Sequence, residues 1–210
     1  MHTTLLQYRH TNLAVENERL RAELERARLE VCALLEQATT DQLTGLLNRR
    51  GFLLAAEQEL RRPQTGQRPL TLVYVDVDGL KALNDAAGHE AGDALLVETA
   101  ALLRAAFRST DILARLGGDE FVVLTRGFHG DGAIIRHRIA RLSQVLHHSG
   151  AQSCEISLSA GVILAPPCAV PALEDLLSRA DKAMYEIKQA KSRPCGGRRP
   201  QQSAALSMAV

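Results

Sequence analysis

Residues 3–38 contain neither glycine nor proline and place an apolar residue at every seventh position: Leu6, Leu13, Leu20, Ala27 and Leu34. A run of that length and period predicts one long helix. With those residues at the d positions of a heptad, Asn17, Leu24 and Val31 fall at a, with the less suitable His10 before them. Glu16, Glu23 and Glu30 flank the seam at g, and Arg21 and Arg28 flank it at e. In a parallel pair Glu16 meets the partner's Arg21 and Glu23 meets the partner's Arg28. A polar Asn at an a position favours two strands in register. An amphipathic helix folded back on its own domain is the alternative. The sustained repeat with complementary flanks favours a homodimer through a coiled coil over residues 1–40.

The whole chain has 210 residues, enough for that helix and one ordinary domain. Apolar residues make up 46% and charged residues 23%, the balance of a globular protein. Lys plus Arg is 25 against 24 for Asp plus Glu, a net charge of +1, which argues against a polyanion binder. Aromatics at 3%, with no Trp, argue against stacking on single strands, so no nucleic-acid partner is expected. No apolar run approaches the roughly 20 residues that span a bilayer, and residues 1–12 lack a signal pattern. No membrane insertion and a cytoplasmic location are therefore expected. Cys32, Cys154, Cys168 and Cys195 form no C-x-x-C pair and read as reduced thiols.

The heptad pattern stops at residues 39–52, and strand-like and helix-like segments then alternate to about residue 190. Residues 70–77 (LTLVYVDV) form a β-branched run that predicts a buried strand. Helical spacing follows over 88–107. Residues 112–116 and 120–125 read as two strands meeting at Gly117-Gly118, a hairpin. A helix near 132–148, a strand near 154–164 and a last helix near 171–190 complete the pattern. The expectation is an α/β sandwich, a mixed sheet flanked by helices, over residues 41–192. Residues 193–210 lack periodicity and read as a disordered tail.

Carboxylates gather at the strand ends. Asp76 and Asp78 close the first strand, and Asp119 and Glu120 follow the paired glycines of the hairpin. If strand 70–77 lies beside that hairpin, Asp76 and Asp119 converge. Oxygen ligands from two strands, with positions left open, suit Mg²⁺ bound together with phosphates. Gly117 and Gly118 allow close backbone approach to such a substrate. Each element alone is ordinary turn chemistry. At about 5% per residue type, however, the pentapeptide Gly117-Gly118-Asp119-Glu120-Phe121 arises by chance on the order of once in 10,000 chains of this length.

That pentapeptide resembles the signature of the GGDEF family, the diguanylate cyclases. The resemblance extends over residues 41–191: Asp41 to Phe52, Asp76-Val-Asp-Gly-Leu-Lys81 with Asn84-Asp85, Gly88-His89 and Gly92-Asp93, then Ser159-Ala-Gly161 and Ala180-Asp181-Lys-Ala-Met-Tyr185. It implies a nucleotide-cyclase, palm-like fold. It also implies a nucleotidyltransferase that condenses two GTP into cyclic di-GMP with release of two pyrophosphates. Each subunit of a dimer holds one GTP, so the coiled coil acquires a catalytic purpose.

By the same resemblance, Asp76, Asp119 and the backbone carbonyl of Val77 hold Mg²⁺, two ions per site, with Mn²⁺ as a substitute. Asp119 stands at the proton acceptor's position, with Glu120 supporting it, and Lys81 stabilises charge on the phosphates. Asn84 and Asp93 read guanine, and His89, Gly117, Gly118 and Lys188 line the substrate. A carboxylate that accepts from guanine N1–H rejects adenine, which favours GTP over ATP. Arg108 and Asp111, an R-x-x-D separated from Gly117 by five residues, match the family's inhibitory product site. A second arginine usually completes it, and Arg136, Arg138 and Arg141 are equivalent candidates.

Two departures stand out. The family's Gly-Arg after the last lysine is replaced by Lys191 and Ser192, with Arg193 one residue late, and Leu80 stands where an aromatic is common. Neither a sensory domain nor a phosphodiesterase module is expected within these residues, and a regulatory protein is left open as the source of the signal. The alternative reading is a catalytically weak cyclic di-GMP or GTP receptor that signals through its coiled coil.

Overall fold

The heptad segment forms one helix, α1 (His2–Thr39). The structure is a computed structural model describing residues 2–62, 69–127, 132–148, 156–166 and 171–192, with residues 2–15, 145–148 and 192 described by backbone alone. Every residue from 16 to 38 is exposed, so this stretch does not fold back on its own domain. Leu20, Leu24, Val31 and Leu34 are 54%, 51%, 53% and 58% exposed, an apolar stripe without cover in the single chain. The side chains of Leu6, His10 and Leu13 lie outside the described set. Glu23 pairs within the helix with Arg19 at 3.0 Å, and Glu25 with Arg28 at 2.9 Å. Such exposed pairs add only a few tenths of a kcal/mol each, about 0.3–0.5.

Asn48 makes the joint between α1 and the domain. Its side-chain oxygen caps α2 (Arg49–Arg61) by accepting from Gly51 N–H at 2.9 Å. Its amide nitrogen donates to the Ala38 and Thr40 carbonyls at 3.0 and 3.3 Å, and its backbone N–H donates to Thr39 at 2.8 Å. One short side chain thus satisfies groups at the end of one helix and the start of the next.

The remaining elements run β1 (Leu70–Val77), α3 (Leu80–Ala87), α4 (His89–Ala106), β2 (Ile112–Gly117), β3 (Glu120–Arg126), α5 (Gly132–His148), β4 (Leu158–Ala165) and α6 (Leu173–Ser192). The sheet order is β2-β3-β1-β4, and every described ladder is antiparallel. The expected mixed sheet is corrected accordingly. Crossover α3–α4 does return the chain parallel to β1, but the β2–β3 hairpin inserts β3 between the two parallel-running strands. The one parallel pairing among the described residues is the single bridge from Leu47 to Ala114.

Strand alternation divides the core into two layers. Val73, Val75 and Val77 face α4 and α5, packing with Leu96, Leu103 and Ile139. Leu70, Leu72 and Tyr74 face α2 and α6, packing with Phe52, Leu176 and Met184. On that second side α6 lies close on β4. A Cβ at Gly161 would stand 2.1 Å from the Ala180 carbonyl and 2.4 Å from Met184 N, so only glycine admits the helix. The paired landmarks at 159–161 and 180–185 are therefore the two halves of one contact.

The expected strand near 154 begins at Leu158, and residues 154–155 lie outside the described residues, as do Cys154, Cys168, Cys195 and the tail 193–210. Helices α2 and α3 were not legible from the alternation. Among the described residues no helix is long and apolar enough to cross a membrane.

Candidate active site

The β1 face that carries Leu70, Leu72 and Tyr74 ends in Asp76, which is 5% exposed. Asp76 lies opposite Glu120 of β3 and opposite Ser159 of β4, so both flanking strands converge on it. The next residue, Val77, donates its N–H to the Asp119 carbonyl at 3.0 Å, which brings the hairpin turn to the same strand end. From α6, Lys188 Nζ donates to Asp76 Oδ1 at 2.5 Å.

Burial raises the Asp76 carboxyl above its ordinary range, and the charges of Asp119 and Asp78 add to that against the opposing Lys188. Lys188 is also raised: burial works against its charge, but the bond to Asp76 and the charges of Asp119 and Asp78 outweigh it. Both shifts describe one pocket with more negative than positive charge. Such a pocket fits a hard divalent cation. Among the described residues no three His, Cys, Asp or Glu side chains are arranged to hold a metal unaided. Asp76 and Asp119 with the Val77 carbonyl fit a cation that takes its other oxygens from phosphates.

The Gly117-Gly118 turn is exposed, with φ of +151° and +52°, and a Cβ on either residue would meet nothing within 4 Å. Backbone conformation and access, rather than packing, therefore require these glycines. Arg115 holds the turn: its Nε and Nη2 donate to the Gly118 carbonyl at 3.0 and 2.8 Å. Its Nη1 reaches both Asp41 carboxylate oxygens at 3.3 Å. Asp41 Oδ1 also accepts from Thr44 N–H at 2.9 Å and from Thr44 Oγ1 at 2.6 Å. On Glu120, the side chain bonds the Tyr74 hydroxyl, whose pKa is pushed up by burial first and then by that carboxylate.

Asn84 lies on α3 and Asp93 on α4, joined through Gly88. The Asn84 side chain passes over Gly92, where an added Cβ would stand 1.9 Å from Asn84 Oδ1. That oxygen is buried and has no hydrogen-bond partner among the described residues. An acceptor held without a donor is costly unless a ligand supplies one, and a guanine amine is such a donor. Asp93 follows Gly92 directly and is exposed, as are Lys81 on the first turn of α3 and His89 at the start of α4.

Arg108 and Asp111 stand apart, in the turn between α4 and β2. Asp111 accepts from Arg108 N–H at 2.8 Å and from the Thr125 hydroxyl at 2.7 Å. The exposed Arg108 lines a cleft with Asp111 and Arg138 on one side, and on the other a groove of about 600 Å³ against Thr40 and Leu47. Arg136 lines a different cavity, on the β4 edge.

The family described as "Diguanylate cyclase, GGDEF domain" matches residues 38–194. The chain belongs to this family. It is 35% identical over 159 residues to the diguanylate cyclase DgcS of Shewanella oneidensis, an alignment covering 76% of this chain and 52% of that one. The chain spans between 24% and 52% of the length of the first curated relatives it matches. Among solved structures, diguanylate cyclase SiaD of Pseudomonas aeruginosa, in complex with its activator SiaC, is 29% identical with a TM-score of 0.66, over 90% of this chain and 74% of that one. The coiled coil and GGDEF domain of DgcB from Caulobacter crescentus, in complex with c-di-GMP, shares the fold at a TM-score of 0.69 and 24% identity, over 85% and 95% of the two chains.

Sequence reasoning about this GGDEF chain missed two contacts. The Asp41–Arg115 pair joins residues 74 apart, and only the Asp41 block hinted at a role. Lys191, read as a departure, donates from Nζ to Asp78 Oδ2 and to the Leu158 carbonyl, both at 2.7 Å. Asp78 also accepts from the Ser157 and Ser159 hydroxyls at 2.7 Å each.

Burial works against the Asp41 charge, but the Thr44 hydrogen bonds and the Arg115 guanidinium outweigh it and lower its pKa overall. A carboxyl lowered in the folded state adds stability above its unfolded value, and that stability is lost as pH falls through the folded value. Asp41→Asn should therefore cost about 1–3 kcal/mol at neutral pH and progressively less on acidification through the carboxylate range. Urea midpoints of the two proteins measured across that range check this, and parallel curves would remove Asp41 from the linkage.

Proposed function

We propose that this chain condenses two GTP molecules into cyclic di-GMP, releasing two pyrophosphates, as a magnesium-dependent homodimer. The observation that carries the reading is the convergence of Asp76 and Asp119 at one strand end, beside an open glycine turn and under a lysine from α6. In each half-reaction a bond forms from a 3′-oxygen to the opposite α-phosphorus, and the bond to pyrophosphate breaks. Asp119 accepts the 3′-hydroxyl proton, with Glu120 fixed beside it by Tyr74. Asp76, Asp119 and the Val77 carbonyl hold Mg²⁺, which neutralises triphosphate charge when bound. Lys188 exchanges Asp76 for phosphate oxygens, and Lys81 and Lys188 place positive charge against the phosphates. Asn84 and Asp93 bind the guanine edge, where the buried Asn84 oxygen gains its missing donor.

Each domain supplies one half-site, so two copies must meet. The uncovered stripe Leu20, Leu24, Val31 and Leu34 supports a parallel coiled coil over residues 1–40 as the dimeriser. An activator protein is the partner class that SiaD in complex with SiaC suggests, and a GTP substrate is consistent with a cytoplasmic domain. At Arg108 and Asp111, product binding inhibits the enzyme. The shared cleft favours Arg138 over Arg136 and Arg141 as the second arginine.

Purified protein stripped of bound nucleotide should convert GTP, and not ATP, to cyclic di-GMP in Mg²⁺, resolved by chromatography. Asp119→Asn should lower that rate at least about a hundredfold with an unchanged circular dichroism spectrum. Tight cyclic di-GMP binding without turnover would favour the receptor reading. Removal of residues 1–38 should make specific activity rise steeply with protein concentration, and a flat dependence would show that α1 is not the dimeriser. Arg108→Ala should relieve inhibition by added product; unchanged inhibition would take Arg108 out of that site.

A further inference from the structure

Helix α6 presents two lysines to one strand end, three residues apart and so on the same face. Lys188 donates there to the Asp76 carboxylate, which the proposed reaction also needs. Lys191 bonds a group outside the reaction. Its Nζ bridges Asp78 Oδ2, just past the end of β1, and the carbonyl of Leu158, the first residue of β4. Asp78 is itself fixed from two more sides, by the Ser157 and Ser159 hydroxyls, and its own N–H donates to the Ser157 carbonyl at 2.9 Å. Every partner of Lys191 is thus anchored in the sheet, and both lie at the margin of the site.

We propose that Lys191 is a positioning residue for the reaction. It pins the last turn of α6 to β1 and β4, so that Lys188, one turn earlier, can leave Asp76 for a substrate phosphate without the helix end moving away. The last buried side chain of α6 among the described residues is Met184, close on Gly161 and two turns before Lys191. Beyond it the final turns run half-exposed or exposed, from Ile187 to Lys191. A helix end with so little burial frays unless a polar contact holds it. Lys191 supplies that contact from a side chain. This inference rests on the reading that Lys188 meets the triphosphate.

Two measurements on the full chain test it. Amide hydrogen exchange over residues 185–191, without nucleotide, should be about tenfold faster in Lys191→Met and near the parent rate in Lys191→Arg; unchanged exchange in Lys191→Met would overturn the pin. With GTP and Mg²⁺, Lys191→Met should raise KM about tenfold while kcat stays within about twofold. Asp78→Asn, which removes the charge while keeping one acceptor oxygen and offering an amide donor in place of the other, should do the same, and the double variant should add nothing. A lowered KM in Asp78→Asn would mean that the released lysine binds phosphate itself, which overturns the proposal, as would an unchanged KM in Lys191→Met. If the parent protein turns over no GTP, the reaction assigned above falls, and the exchange experiment alone decides whether the pin exists.

Discussion

Asp76 is an ionisable group in the dry end of a strand paired on both sides, and burying a carboxylate costs several kcal/mol unless other charges and donors compensate. The compensation comes from Lys188, 112 residues later. For that ammonium to reach Asp76, α6 must cross β4 almost backbone to backbone, and Gly161 makes the approach possible. The order of dependence runs from a missing side chain in β4 to the seat of a helix, and from the helix to the charge balance of the pocket. The balance stays negative, which is a poor arrangement for stability and a suitable one for attracting a cation.

The two faces of β1 do different work. Val73, Val75 and Val77 build the layer against α4 and α5. On the α2 and α6 side the same alternation passes from Leu70 and Leu72 through Tyr74 to Asp76, from oil to hydroxyl to carboxylate within one strand. On that face polarity is thereby confined to the strand's end, where β3 and β4 both deliver polar residues opposite it. The core and the site share a strand without sharing an environment.

What the sequence revealed was mostly local. Strand β1 and the hairpin were legible because β-branched runs and paired glycines act over a few residues. The long α1 was legible because its period is sustained, and residues 16–38 leave that stripe uncovered in the single chain. Helix α3 was not legible: it has eight residues, and the pair Leu80 and Leu83, which packs partly buried against the core, is too short a period to read. Long-range polar contacts were equally hidden. Asp41 with Arg115 and Asp78 with Lys191 pair residues of ordinary surface type, and nothing in composition separates them from solvated charges. Lys191 carried a signal only as a mismatch, and a mismatch does not say what takes its place. The sheet was misjudged because adjacency, not chain direction alone, decides whether parallel-running strands pair.

The joint after α1 has mechanical consequences. Helix α1 is 38 residues long, a rod of about 57 Å. Asn48 grips the Ala38 carbonyl inside its last turn, and Asp41, two residues past its end, is clamped by Arg115 to the backbone of Gly118. No slack segment lies between rod and turn. A torsion applied along the rod would reach the Gly118 peptide through one guanidinium, and the stiffness of that train would be set by a handful of hydrogen bonds rather than by a hydrophobic hinge.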